Sequence, residues 1–420
     1  PSPPRRGHGK LPDAAVEGPP RGRERMVGAG LEPTRIGIAG TGFVARHLAL
    51  ELAHRPDWRL SAVLTRRPRA TVTGFPDGVL VDSVDGLIER AEILVECTGD
   101  VLRGTELVER ALEAGRPVVT YAAELHVTTG SAFAGRGLLS EAEGDQPGSL
   151  AALAEEARSM GFEPVVYGNL KGFLDREPSP DSMRYWAERQ GLSLPMVTAF
   201  TDGTKLQVEQ CLVGNGLGAD IAREELLGPA EEDLARGARI LAETAERLGR
   251  PITDYLLGRG FPHGVFLVAR HREEQRAALR YLKMGDGPFY TLLKPQVLLH
   301  LEAFKTLERI KSGKGPLLDN SPRPRLSVAA VAKRRLEPGT RIANGIGSFD
   351  LRGICVRIAD RPDHLPIGLC RDLVIRRRVE RGEVLRFEDV ELPASRALEL
   401  WQEVRARALA GPAGEAPAWR

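Results

Sequence analysis

Apolar runs alternate with amphipathic stretches through the first third of the chain. The run beginning at Arg35-Ile-Gly-Ile-Ala leads straight into Gly40-Thr41-Gly42-Phe43-Val44-Ala45, and a helical pattern over Phe43 to His54 follows at once. Strand, glycine turn and helix in that order predict a dinucleotide-binding βαβ unit. Gly40 allows the tight turn. Gly42 lets a pyrophosphate approach the backbone at the helix N-terminus, and Ala45 lets the helix pack close to the strand. Further strands are predicted at Trp58 to Leu64, Val79 to Val81, Glu92 to Cys97 and Pro117 to Tyr121. The intervening helices are Val84 to Arg90 and Leu102 to Ala114. The pattern breaks from Gly137 to Gly148. It resumes with a helix at Leu150 to Met160 and a strand at Pro164 to Tyr167. Arg176 to Pro195 is polar and punctuated by proline, so a lid-like excursion is expected there.

Later helices are predicted at Lys205 to Leu217, Glu231 to Leu248 and Pro295 to Ile310. The first of these is apolar or small nearly all round and should be buried. Lys311 to Arg325 reads as a linker. Beyond it, Ala332-Lys-Arg-Arg-Leu-Glu-Pro-Gly is echoed by Ile375-Arg-Arg-Arg-Val-Glu-Arg-Gly, which predicts two hairpins in a small β-rich module. The chain thus divides into a leader, 1–33; a Rossmann domain, 34–150; a second α/β domain, 151–312; a β module, 326–395; and a helix and tail, 396–420. Met26 stands just ahead of the first strand. It is read as the true start, with a disordered leader or a translation artefact before it.

Composition narrows the function. The formal net charge of +2 gives no reason to expect a nucleic-acid partner. No stretch reaches the ~20 apolar residues that span a bilayer, so no membrane partner is expected either. Four cysteines lie far apart without CxxC spacing, which points to a reduced, cytoplasmic compartment and against a structural metal. The second strand ends in Thr65-Arg66-Arg67, where an NAD-preferring site has an acid. Two guanidinium groups and a hydroxyl suit the 2′-phosphate of NADP, with NAD as the alternative. Thr98 and Gly99 end the next long strand and complete the expected cofactor crevice.

Candidate chemistry clusters beyond that crevice. Glu124 follows a strand at the same sheet edge. Lys171 stands between two glycines, ahead of Asp175. Asp202 precedes Lys205, and Lys205 and Glu209 share one face of a buried helix. A lysine of lowered pKa there can exchange a proton with an alkoxide, and Asp202 and Glu209 are the expected holders of Lys205.

Taken together, these motifs resemble homoserine-dehydrogenase-like NAD(P)-dependent oxidoreductases with a C-terminal SAF (antifreeze-like, β-clip) domain. The matching stretches are the Gly40 turn, Glu124, Gly144-Asp-Gln-Pro147, Gly168-Asn-Leu-Lys-Gly172, Thr201-Asp-Gly-Thr-Lys205, Asn215, Lys283-Met-Gly-Asp-Gly-Pro288 and the paired basic segments. The chain departs from that pattern at Pro295-Gln-Val-Leu298, where such proteins commonly have Pro-Tyr-His-Leu, and in a short loop between Thr129 and Glu143. The resemblance implies a Rossmann domain, a second α/β domain inserted before its last elements, and a β-clip cap. It also implies a small polar substrate, phosphorylated or sugar-derived, and a homodimer or homotetramer. Two other readings stay open. One is a reductoisomerase of the deoxyxylulose-phosphate type, in which Glu124, Asp145, Asp202 and Glu209 supply carboxylates to a divalent metal. The other is a cofactor-bound sensor without catalysis.

Overall fold

A computed structural model describes residues 32–410. The expected leader lies almost wholly outside the described residues, as do residues 411–420. Six parallel strands form the first sheet: β1 (Thr34–Ala39), β2 (Trp58–Leu64), β3 (Leu80–Val81), β4 (Ile93–Glu96), β5 (Val118–Thr120) and β6 (Leu139–Glu141). Their order is β3-β2-β1-β4-β5-β6, the order of a doubly wound dinucleotide-binding sheet. Helices α1 (Phe43–Leu52), α2 (Val84–Arg90), α3 (Val101–Glu113) and α4 (Ala123–Thr129) connect them. β4 is buried at every position, because a parallel sheet is covered on both faces. β6 falls inside the stretch expected to be irregular. Three residues are too short for periodicity to reveal.

The chain then enters a second layer. Helix α5 (Gln146–Ser159) leads to β7 (Glu163–Lys171), α6 (Pro180–Gln190), α7 (Leu194–Thr201), α8 (Thr204–Leu217) and α9 (Leu234–Leu248). Strands β8 (Ile252–Leu257) and β9 (Val265–Arg270), helix α10 (Arg276–Tyr281) and strand β10 (Phe289–Lys294) complete it. The sheet order is β10-β9-β7-β8, with only β7 and β8 parallel. The stretch expected to form an irregular excursion contains α6. With α7 it makes a small core of Met183, Ala187 and Val197. Helix α11 (Leu299–Lys311) returns to the first domain, where Ala303, Phe304 and Leu307 pack with Ile36, Leu48 and Trp58.

The linker is anchored. Glu141 N donates to Leu318 O, and Asn215 Oδ1 accepts from both Arg325 N and Leu326 N at 3.0 and 2.9 Å. The remaining elements are β11 (Leu326–Ala332), β12 (Arg341–Asn344), β13 (Leu351–Arg357), β14 (Arg371–Ile375), β15 (Val390–Glu391) and α12 (Arg396–Ala410). The two echoed segments do not fold as separate hairpins, as the repeat suggested; they clasp each other. Leu336 and Val379, equivalent in the repeat, exchange both backbone hydrogen bonds. Around that pair, Gly339 N donates to Ile375 O, and its counterpart Gly382 N donates to Ala332 O. Mutual pairing buries backbone groups that an isolated hairpin leaves at an open edge. Among the described residues, no helix is long and apolar enough to cross a membrane.

Candidate active site

The carboxyl ends of β1, β4, β5 and β6 form one edge, and the site grows along it. At β1, Gly40 has φ +117°, and a Cβ there would lie 2.8 Å from Cys97 O. Only glycine fits that crossing. A Cβ on Gly42 would meet nothing within 4 Å, so the approach to the N-terminus of α1 is open. The backbone from Thr41 through Gly42, Phe43 and Val44 therefore fits a pyrophosphate. The Phe43 ring itself turns along α1 to His47, 4.1 Å between centroids. Thr65 is buried, and its hydroxyl accepts from Arg67 N at 3.1 Å, which shapes the turn that exposes Arg66 and Arg67.

Glu96, the last residue of β4, is fully buried beneath the Thr98-Gly99 turn. It accepts from Thr98 N at 2.8 Å, from Thr98 Oγ1 at 2.5 Å and from Thr120 Oγ1 at 2.8 Å. Burial raises its carboxyl above the ordinary range. The sequence offered this residue only as one more position in a strand.

Farther along the edge, carboxylates and ammonium groups converge. Lys205 sits in the first turn of α8. Its Nζ lies 3.5 Å from Glu124 Oε2 on α4 and 3.4 Å from Asp145 Oδ2 at the start of α5. Asp145 is aimed by an N-cap: its Oδ1 accepts from Gln146 N. Gly144 beside it has φ +107°, and a Cβ would fall 2.1 Å from Leu299 O. That close approach requires glycine and binds this loop to the start of α11. One turn along α8, Glu209 accepts from Asn169 Nδ2 at 2.8 Å and faces Lys171 Nζ at 4.0 Å. Asn169 and Lys171 share one face of β7, two residues apart. Gln146 Nε2 meets His263 Nε2 at 3.1 Å at the margin.

The electrostatics separate the roles. Burial pulls the Lys205 pKa down, but Asp145, Glu124, Glu209 and Glu141 outweigh it and hold the pKa well above its ordinary value. Lys205 is a fixed cation, not the lysine of lowered pKa that the sequence suggested. Burial drives Glu209 the other way, up to about 7, against the opposing pull of Lys171. Beneath them His126 Nδ1 and Glu141 Oε2 meet at 3.0 Å, both side chains fully buried. Burial lowers His126 to about 3, so its imidazole is neutral at neutral pH, and burial raises the Glu141 carboxyl above its ordinary range. Burial and the nearby Lys171 also lower His263.

Lys171, Lys205, Glu124 and Glu209 therefore come together as the sequence suggested, and Asp145 joins them. Asp202 does not. Its Oδ1 accepts from Thr204 N at 2.8 Å, and its Oδ2 pairs at 2.5 Å with Lys333 of the β module. Lys333 also donates to Ser348 O at 2.6 Å. Asp175 is spent on its own loop, accepting from Glu177 N. Asn215, a residue of the quoted motifs, clamps the linker and takes no part. Asn169 stands in a quoted motif, but the strand predicted there stops at Tyr167, whereas β7 runs on to Lys171 and puts both residues on one face. Asp145 stood in a quoted motif, but its lysine partner depends on the meeting of two domains.

Two family models match parts of the chain. Residues 40–133 match the family model described as homoserine dehydrogenase, NAD binding domain, and residues 144–303 the one described as oxidoreductase DRL, catalytic domain. The glycine turn, Thr98 and Glu124 lie in the first; Asp145, Asn169, Lys171, Lys205, Glu209 and His263 lie in the second. No protein of curated description matches the chain. Among solved structures, UDP-N-acetylglucosamine 3-dehydrogenase from Acidithiobacillus ferrooxidans is similar at 14% identity and TM-score 0.39, over 69% of this chain and 93% of that one. A myo-inositol dehydrogenase from Corynebacterium glutamicum is similar at 12% identity and TM-score 0.38, over 67% of this chain and 90% of that one. Likeness at that level carries no argument about substrate. Together the two family matches identify an oxidoreductase whose Rossmann-like domain takes a nicotinamide cofactor.

Proposed function

We propose that this nicotinamide-dependent oxidoreductase prefers NADP and acts on an alcohol or carbonyl group of a small polar substrate, phosphorylated or sugar-derived. One observation carries the reading. The Lys205 ammonium is held between Glu124 and Asp145 on the same sheet edge as the Gly40–Gly42 turn. The turn, the Thr98-Gly99 segment and Arg66 would hold the cofactor. When bound, it supplies or accepts the hydride.

The chain's own residues do the rest. Lys205 stays charged and binds the substrate oxygen, so it stabilises the negative charge that grows there during reduction. It does not give up that charge near neutral pH, because four carboxylates surround it. The proton comes instead from a group that titrates in the neutral range. Glu209, pushed up to about 7, is that group, with Lys171 and Asn169 fixing its carboxyl. Glu124 and Asp145 orient the ammonium. The β module at 326–395 fits the SAF β-clip reading, and the symmetrical clasp around Leu336 and Val379 supports it.

The reading is tested with a panel of polyols, sugar phosphates and short hydroxy acids, followed through nicotinamide absorbance with each cofactor. Turnover with NADP, and an Arg66→Ala variant that loses its preference for NADP over NAD, is the expected result. If neither nicotinamide cofactor binds the full chain in calorimetry, the reading fails.

A further inference from the structure

Three arginines converge on one carboxylate where β2 and β4 end, on either side of the glycine turn. Arg66 follows β2. Arg103 lies in the first turn of α3, after β4. Arg371 comes from the β module, at the start of β14. Asp100 Oδ2 lies 3.0 Å from Arg371 Nη1, 3.8 Å from Arg66 Nη2 and 3.8 Å from Arg103 Nε. The other oxygen, Oδ1, caps α3 by accepting from Arg103 N. One carboxylate oxygen is thus left to three guanidiniums, and only Arg371 reaches it at hydrogen-bonding distance. Each guanidinium has five N–H donors, so most donors here remain for another acceptor. The Asp100 side chain is 9% exposed, whereas those of Arg66, Arg103 and Arg371 are 63%, 52% and 38% exposed.

Asp372 is the other acid at the cluster, 3.8 Å from Arg371, and the exposed Arg67 adds a further positive charge beside Arg66. Positive charge is in surplus. Asp372 also has φ +50°, in the left-handed region that residues other than glycine rarely adopt. The β module is seated firmly here: its short helical turn Ile367–Leu369 packs against α3 and α4. In the sheet β1 lies between β2 and β4, so the contact from Arg66 to Asp100 spans the glycine turn. A dinucleotide in a fold of this order lays its adenosine half along that side.

We propose that Arg371 is a cofactor-specificity residue and that, with Arg66 and Arg103, it takes the 2′-phosphate of NADP. Asp100 holds the three guanidiniums in position. The β module is then a wall of the cofactor site. A phosphate offers a dianion to surplus guanidinium donors; the 2′-hydroxyl of NAD is neutral and offers them little. The inference rests on the NADP reading above and adds a residue from a separate module to it.

The test is calorimetric binding of NADP and of NAD to the full chain and to Arg371→Ala and Arg371→Lys variants. Arg371→Ala should weaken NADP about tenfold or more, the cost of a charge-assisted hydrogen bond, and leave NAD within about twofold. Arg371→Lys should fall between, since it keeps the charge and loses the fork. Thermal melts of both variants check that the module still docks. Equal weakening of both cofactors, or no change in either, overturns the assignment of Arg371. If wild type prefers NADP and Arg66→Ala abolishes that preference while Arg371→Ala keeps it, this inference fails and the NADP reading stands. If wild type binds both cofactors equally, both fail.

Discussion

Two lysines, one buried and one half-buried, flank the start of α8, and they are built for opposite ends. Lys333 is tightly held: Asp202 and Ser348 O take two of its three N–H donors at 2.5 and 2.6 Å, and its side chain is 4% exposed. Lys205, two residues into α8, meets its carboxylates at 3.5 and 3.4 Å, and its side chain is 11% exposed. One ammonium makes two short hydrogen bonds in a closed site. The other has charge in excess around it and looser contacts, so it retains donors for a substrate oxygen. A lysine beside an acid in a sequence says nothing about which of these it is. Contact length and exposure decide.

The β module uses the first kind of pair to set the second. Thr204 Oγ1 accepts from Gly353 N and Gln207 Oε1 from Cys355 N, at 2.9 and 2.8 Å. With Lys333 on Asp202, these bonds fix the first turn of α8 and with it the direction of Lys205. The largest contrast should follow from removing each lysine in turn. Lys205→Met should lower turnover by about 10²–10³. It should also lower the melting midpoint, since its raised pKa means that its charge favours the folded state, but by less than Lys333→Met does, because Glu124 keeps some access to water. Kinetics and a thermal melt on one preparation check this. A variant that turns over normally removes Lys205 from the chemistry.

Lys333→Met should weigh the other way, with stability lost more than turnover. It leaves the Asp202 carboxylate buried and unpaired, at a cost of about 3–5 kcal/mol. Urea unfolding should record that loss, and the double variant Lys333→Met with Asp202→Leu should recover part of it. Unchanged stability in the single variant would show that the pair does not hold the module to α8.

The difference between the two lysines also marks what was legible beforehand. The glycine turn, the strand before it and the doubly wound domain follow from local pattern, since a buried parallel strand and a glycine crossing leave their signature in adjacent residues. The Lys205–Glu209 spacing on α8 was legible for the same reason. Partners brought in from elsewhere were not. Nearness in sequence makes Asp202 the expected holder of Lys205, yet it faces Lys333, 131 residues on. A repeat reveals equivalence, not pairing, so the sequence predicts two hairpins where the structure has one intertwined clasp. The sign of the Lys205 pKa was misread because three of the four carboxylates around it come from other segments: Glu124 from α4, Glu141 from β6 and Asp145 from the start of α5.

The finest distinction concerns which group moves the proton once Lys205 is taken as a fixed cation. Burial raises Glu209 to about 7, so in the folded chain it is protonated below that pH and ionised above it. Reduction of a carbonyl needs the protonated form, so turnover in that direction should fall as pH rises through about 7. Oxidation needs the carboxylate and should fall as pH drops through the same value. In Glu209→Gln that limb should vanish from both profiles, with turnover at the favourable pH reduced about tenfold, because water can replace a relay that does not itself hold the substrate oxygen. Gln keeps an acceptor for Asn169 Nδ2, so the strand and α8 should stay in register. Stability gives an independent reading of the same group. The folded state keeps a proton that the unfolded carboxyl, with its ordinary value of 4.5, has released, so this group's contribution to stability is lost as pH rises from 4.5 to about 7. Unfolding measured across that window should show a downward slope in the wild type that is shallower in Glu209→Gln. If the limb near pH 7 persists in the variant, the proton passes through some other group, and Glu209 only props Lys171 in place.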